Sequence, residues 1–239
     1  MILKFMIKTL YKKELNYYLN NPLGYIIAIL FAIFANFWFI KDVFVVGSTS
    51  MRSFFDFTPW LLMVFISALA MRIFSEEKRS NTIEVLLTLP VKEWEIVLAK
   101  FFTLLTMVFF SLLLTMGLPL SLSFLSKIYL PEVFVGYLGL LFLSGLMISF
   151  SMIFSLLTRN QIVAFLISLL GNFVFLVLGS DFFAGYLPKV VFDLIIYYTP
   201  LYHLSFFNRS VLELRSVGYF FTFTLTFLLI SKFLLESRD

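Results

Sequence analysis

Along this chain, apolar runs long enough to cross a bilayer alternate with short segments broken by charge or proline. The long runs cover about 23–40, 58–74, 101–125, 133–157, 162–179 and 217–235. A hydrocarbon core about 30 Å thick takes roughly 20 helical residues at ~1.5 Å each, so these lengths predict six transmembrane helices. Before the first run, "ILKFMIKTLYKKELNYYLNN" places Lys4, Lys8 and Lys12 on one helical face and Leu3, Met6, Ile7 and Leu10 on another. That pattern predicts an N-terminal amphipathic helix in the headgroup interface, ended by Pro22. Between Pro188 and the last run, "KVVFDLIIYYT" and "LYHLSFFNRSVL" are each too short to span and predict a re-entrant or interfacial helical pair. A seventh crossing drawn through about 186–207 would bury Asp193, at roughly 2.5–3.5 kcal/mol on insertion scales.

One segment stands apart from this pattern. "SEEKRSNTIEVLLTLPVKEWEIVLAK", Ser75 to Lys100, is charged and punctuated. Asn81 stands three residues before Glu84, the spacing of an N-cap with a reciprocal capping carboxylate. Ile83, Leu86, Leu87 and Pro90 then fall on one helical stripe until Pro90 stops it. Glu93 and Glu95 suit the first turn of the helix that continues through Lys100 into the third run. Two turns of helix barely form alone in water, so the stripe needs a cover. Either the membrane surface and the ends of the chain's own spans supply it, or a soluble cytoplasmic partner does.

Composition confirms the membrane class and narrows the chemistry. With 61% hydrophobic and 13% charged residues in 239, no large soluble domain fits, and the chain reads as a single transmembrane domain over 1–239. The formal net charge is +4, but the basic residues flank apolar runs instead of forming a patch, which argues topology and not nucleic acid. Twelve of the 18 Lys and Arg fall on the side of the N-terminus, so the positive-inside rule puts both termini and the 75–100 segment in the cytoplasm. Lys100 counts there as a loop charge. There is no Cys and one His, His203, which excludes disulfides, thiolate metal sites and multi-histidine sites. No acid stands within a run as a proton or sodium relay, against a secondary transporter. Small-residue pairs at Ala28/Ala32, Gly145/Ser149 and Ser151/Ser155 suit close helix packing, within or between subunits.

The charged segment resembles the cytoplasmic loop between the second and third spans of ABC (ATP-binding cassette) transporter permeases of the type-2 export class. The family pattern matches at Glu77, Thr82, Glu84, Leu86, Leu87, Pro90 and Val91. Asn81 replaces the usual Gly before Thr82, and Asn tolerates the left-handed conformation that Gly supplies. "TPLYHLSFFNRSVLELRS" is similar to a segment of the gliding-motility-associated subgroup at Thr199, Pro200 and His203. The resemblance implies an inner-membrane, multi-pass permease of a bacterium that forms the substrate path of an exporter. It implies a short cytoplasmic coupling helix that docks on a separate ABC ATPase subunit, with Glu77, Asn81, Thr82, Ile83, Glu84, Leu86, Leu87 and Pro90 as the contact. Thr199, Pro200 and His203 would form an outer-face segment. A second permease subunit, identical or not, completes the pathway. The chain itself holds no Gly-x-x-x-x-Gly-Lys-Ser/Thr loop, so ATP and magnesium belong on the partner and no cofactor is expected here. Two other classes stay open: a non-transporting membrane anchor for a motility or secretion machine, and an intramembrane enzyme built on His203 with Asp181, Asp193 or Glu213.

Overall fold

A computed structural model describes residues 2–46, 50–84, 91–125, 129–178 and 195–237. Among these residues the chain is helical throughout, with no strand. The helices are α1 (Ile2–Asn20), α2 (Pro22–Val46), α3 (Arg52–Ala70), α4 (Ser75–Arg79), α5 (Glu93–Thr115), α6 (Gly117–Leu125), α7 (Leu130–Leu157), α8 (Gln161–Val177), α9 (Pro200–Asn208) and α10 (Leu214–Glu236). Five stretches are long and apolar enough to cross a membrane: Gly24–Lys41, Arg52–Arg79, Glu93–Phe124, Leu130–Leu157 and Leu214–Glu236. The protein is therefore a multi-pass membrane protein. The run expected as the fifth crossing forms α8, whose 17 residues reach only about 25 Å.

α7 is the hub. It packs against α3, α5, α8, α9 and α10, and it is apolar on every face, as a helix surrounded by others must be. Close approach depends on its glycines: a Cβ at Gly139 would lie 2.6 Å from the Cβ of Phe207 in α9. The small-residue positions of α7 are spent inside the subunit, since Ser149, Ser151 and Ser155 are fully buried. Ser151 accepts from Asn172 Nδ2 of α8 at 2.9 Å, and the same amide reaches Ser67 of α3 at 3.3 Å.

α1 is amphipathic as expected. Leu10, Glu14 and Tyr18 face inward, Lys8, Lys12 and Lys13 outward, and the inner face packs on α5 and α2. Pro22 opens α2 at the position where its missing N–H is no loss. Gly24 makes the corner possible, because a Cβ there would lie 2.4 Å from the Tyr18 carbonyl oxygen.

The crossing expected over 101–125 lies within Glu93–Phe124, though its helix is interrupted at Met116, one turn before Pro119, whose ring displaces the carbonyl of Thr115 and offers it no N–H. One local expectation is corrected. Asn81 does not N-cap a following helix. Its φ of 56° is left-handed, whereas an N-cap is extended, and it closes α4 from behind. The N–H of Thr82 reaches the carbonyl of Glu77 at 2.9 Å and that of Asn81 reaches Lys78 at 3.4 Å, the paired bonds of a Schellman ending. Asn thus serves in the left-handed place that Gly would fill. A reciprocal carboxylate occurs later instead, where Glu95 accepts from the Lys92 N–H at 3.2 Å and starts α5.

Replacing Gly139 with Ala forces α9 off α7. The variant should lose about 1–3 kcal/mol of stability, read as an earlier thermal unfolding midpoint in detergent; an unchanged midpoint would contradict the packing.

Candidate functional site

α3 cannot run straight into α4, because the chain turns over Met71–Phe74 and leaves backbone groups without helical partners. Ser155 of α7 supplies them. Its Oγ accepts from the N–H of Phe74 at 3.1 Å and of Ser75 at 3.2 Å, and it donates to the Met71 carbonyl at 3.2 Å. The Ser75 hydroxyl also donates to the Met71 carbonyl. α4 is thereby pinned to the hub at a fixed angle.

The other fastening is ionic. Lys100 follows Ile96 by one turn and precedes Thr103 and Leu104, so it lies on the buried face of α5, with its side chain 1% exposed. An ammonium has three donors, and the structure meets all three. Nζ donates to Glu77 Oε1 of α4 at 2.8 Å, to the Ile73 carbonyl at 2.8 Å and to Glu14 Oε1 of α1 at 3.1 Å. The Phe74 ring lies 5.1 Å away. Three segments far apart in sequence meet on one nitrogen.

α1 contributes two further bonds from the same face. The Tyr18 hydroxyl donates to the Leu69 carbonyl at 3.0 Å, and that of Tyr17 donates to Glu76 at 2.7 Å. Arg72 clamps both oxygens of Glu76 at 3.0 Å and also donates to the Tyr17 oxygen at 3.1 Å. Burial raises the pKa of both tyrosines, Tyr18 well above the ordinary value, with the Glu76 carboxylate adding to the rise at Tyr17. Both phenols therefore stay protonated donors at neutral pH.

Beside these bonds lies a cavity of about 290 Å³, reaching Lys13, Ser80 and Thr82. Its charged walls balance, Lys13, Arg72 and Lys100 against Glu14, Glu76 and Glu77. No uncompensated charge is left to attract an ion, and among the described residues no group of three or more His, Asp or Glu is placed to hold a metal. The arrangement is a mechanical joint: it holds α4 to α1 and α5 by charge and to α7 by Ser155.

The expected contact residues divide on this joint. Glu77 turns inward to Lys100, and Ile83 packs into the chain's own core. Asn81, Thr82 and Glu84 are exposed, and Leu86, Leu87 and Pro90 lie outside the described residues. Lys100, counted above as a loop charge, is fully buried, because helical phase puts it on the apolar face of α5. Among the described residues two acids are buried all the same, Glu14 of α1 and Glu95 in the first turn of α5, and it is Glu14 that meets Lys100. The phase of Lys100 against Ile96 and Leu104 was the available sign, while its partners could not be read from spacing.

At the opposite end of α3, Asn208 of α9 donates to Asp56 at 2.7 Å. Thr199 and Pro200 open α9 and are buried. His203 is buried too, its Nε2 3.0 Å from the Tyr197 carbonyl and its Nδ1 3.1 Å from Ser216 Oγ. Its ring stacks on Tyr219 at 4.0 Å. Of the acids considered as its partners, Glu213 lies close, bonded to Ser216, while Asp181 and Asp193 lie outside the described residues.

Comparison with known proteins gives one family, described as ABC-2 family transporter protein, which matches residues 21–179. Among curated proteins no match is found. The matched stretch takes in α4, Lys100 and Ser155.

Lys100→Met would leave two carboxylates together without their cation, and it should cost about 3–5 kcal/mol. Glu14→Gln should cost less, because Glu77 and the Ile73 carbonyl remain. Thermal unfolding of both variants in the same detergent checks the order; a Lys100→Met protein as stable as the parent would remove the joint.

Proposed function

Since the chain belongs to the ABC-2 transporter permease family, we propose that it is the membrane-spanning subunit of an ATP-driven exporter, driven by a separate cytoplasmic ABC ATPase. The observation that carries the reading is the exposed Asn81, Thr82 and Glu84 standing directly on the α4 joint. A partner seated there would push on α4. Because α4 is bonded to α1, α5 and α7 at once, the push would reach the bundle without being absorbed by a loose loop.

In this reading ATP and magnesium stay on the partner, and this chain binds neither. Residues 81–90 form the coupling segment, with Glu84 and Leu86, Leu87 and Pro90 as the docking contact, while Glu77 transmits instead of docking. α8 makes a short sixth crossing, which leaves both termini on the cytoplasmic side of a bacterial inner membrane. Residues 1–239 act as one permease domain that pairs with a second permease subunit. A place among the gliding-motility-associated exporters rests on Thr199, Pro200 and His203.

Glu84→Lys tests the docking contact. In a pull-down from mild detergent, the variant should hold the ATPase subunit at least about tenfold less tightly, ~1.4 kcal/mol, and ATP-dependent transport in proteoliposomes should fall with it. Undiminished capture would overturn the docking assignment. Absence of any ATPase with the parent protein would favour a non-transporting anchor.

A further inference from the structure

The site around His203 contains one hydrogen too few for the bonds it could make, and that shortage is informative. Nε2 faces the Tyr197 carbonyl at 3.0 Å, and a carbonyl only accepts, so Nε2 carries a proton in either charge state. Nδ1 faces Ser216 Oγ at 3.1 Å, and the same Oγ lies 3.2 Å from Glu213 Oε2. Ser216 has a single hydroxyl proton. Given to a neutral imidazole, it is unavailable to Glu213; given to Glu213, it requires that Nδ1 be protonated and donate to Oγ.

We propose that His203, Ser216 and Glu213 form a proton-reading latch between α9 and α10. With His203 neutral, Ser216 donates to Nδ1 and Glu213 is released. When the imidazole takes a proton from water, Nδ1–H donates to Ser216, whose own proton turns to Glu213. The three residues then bond in series, tying α9 to the residue from which α10 starts.

The surroundings suit this role. The imidazole is 1% exposed, but Glu213 is only partly covered and Arg215 beside it is exposed, so protons reach the chain of bonds from its outer end. The ionisable groups around the ring come from few directions. Glu213, Arg215 and Tyr219 belong to α10 and its entry, Tyr197 precedes α9, and Tyr202 adjoins the histidine. Among the described residues, α7 brings Gly139 to this part of α9, α8 carries no ionisable side chain, and Asp56 of α3 is held by Asn208. Burial lowers the His203 pKa, opposed by its bond to Tyr197 and by Glu213. A histidine with a lowered folded pKa favours folding while neutral, so the stability it contributes is present above about pH 6.5 and is lost as pH falls below that value. Glu213 limits that loss by meeting the charge.

His203 is the chain's one histidine, so protein labelled with 15N-histidine, its tag removed, gives one imidazole to follow by NMR in nanodiscs. At pH 8 the ring should be the Nε2–H tautomer, and its titration midpoint should lie below the ordinary 6.5 or so. Glu213→Gln should move the midpoint further down, and the same change made with Ser216→Ala should move it less, because the hydroxyl that links the two is gone. An Nδ1–H tautomer in the parent protein, or an equal shift with and without Ser216, would overturn the latch. The tautomer is read on the unmodified protein, so an Nδ1–H ring would overturn the latch even where a variant does not fold.

Discussion

The buried ammonium of Lys100 is the constraint from which the geometry of the α4 end follows. Removing an ion of this size from water costs several kcal/mol even after the protein relaxes, and the cost is met only when every donor finds an acceptor. Glu14, Glu77 and the Ile73 carbonyl are those acceptors, within 2.8 to 3.1 Å. Glu14 belongs to α1, Ile73 and Glu77 to the stretch that turns into α4, and Lys100 itself to α5. If α1 slid along α5, or α4 swung away, a charge would be left unmet in an apolar setting, so the three pieces keep one arrangement. Apolar packing alone, which tolerates sliding at small cost, would not impose this.

The same accounting applies to the backbone. A chain that bends where no water reaches must find partners for the N–H and C=O groups that the bend releases. Ser155 does so at the buried turn between α3 and α4, while at the exposed end of α4 the Schellman bonds closed by Asn81 satisfy the last carbonyls within the chain. Within the bundle, Asn172 bridges Ser67 and Ser151 and joins α8 to α3 and α7. Such bonds are worth only about 0.6 kcal/mol each on average in measured membrane proteins. Their effect is directional: they select one rotation of each helix among several that would pack equally well.

The two ends of α3 are consequently built for different tasks. At one end, short-range charge and hydroxyl bonds make α4 stiff relative to the helices around it, and the exposed Asn81, Thr82 and Glu84 stand on that stiff base. At the other, α9 rests on α7 through the Gly139 contact and meets α10 through His203, Ser216 and Glu213. In the proposed coupling, pressure at one face is converted into rearrangement at the other. A rigid joint at the end proposed to be driven, and the proposed protonation-dependent bond at the far end, are compatible with that division.

By itself the sequence determined that this is an all-α membrane protein, roughly where its helices run, and that residues 75–84 interrupt them. Those features depend on local facts: apolar length, the outward phase of the lysines in α1, the stop at Pro22, and the tolerance of Asn81 for a left-handed turn. Pro119 also broke its helix by a local rule, though the apolar run around it concealed the break. Only the tertiary structure decided where the charges went. Lys100 resembled a loop lysine, Glu77 a docking residue and Glu14 part of a surface helix, yet they meet on one buried nitrogen. Lys100 and Glu14 are 86 residues apart. Spacing within one helix states which face a residue occupies, but which helix lies against that face is set by the packing of the whole bundle, and no local periodicity encodes it.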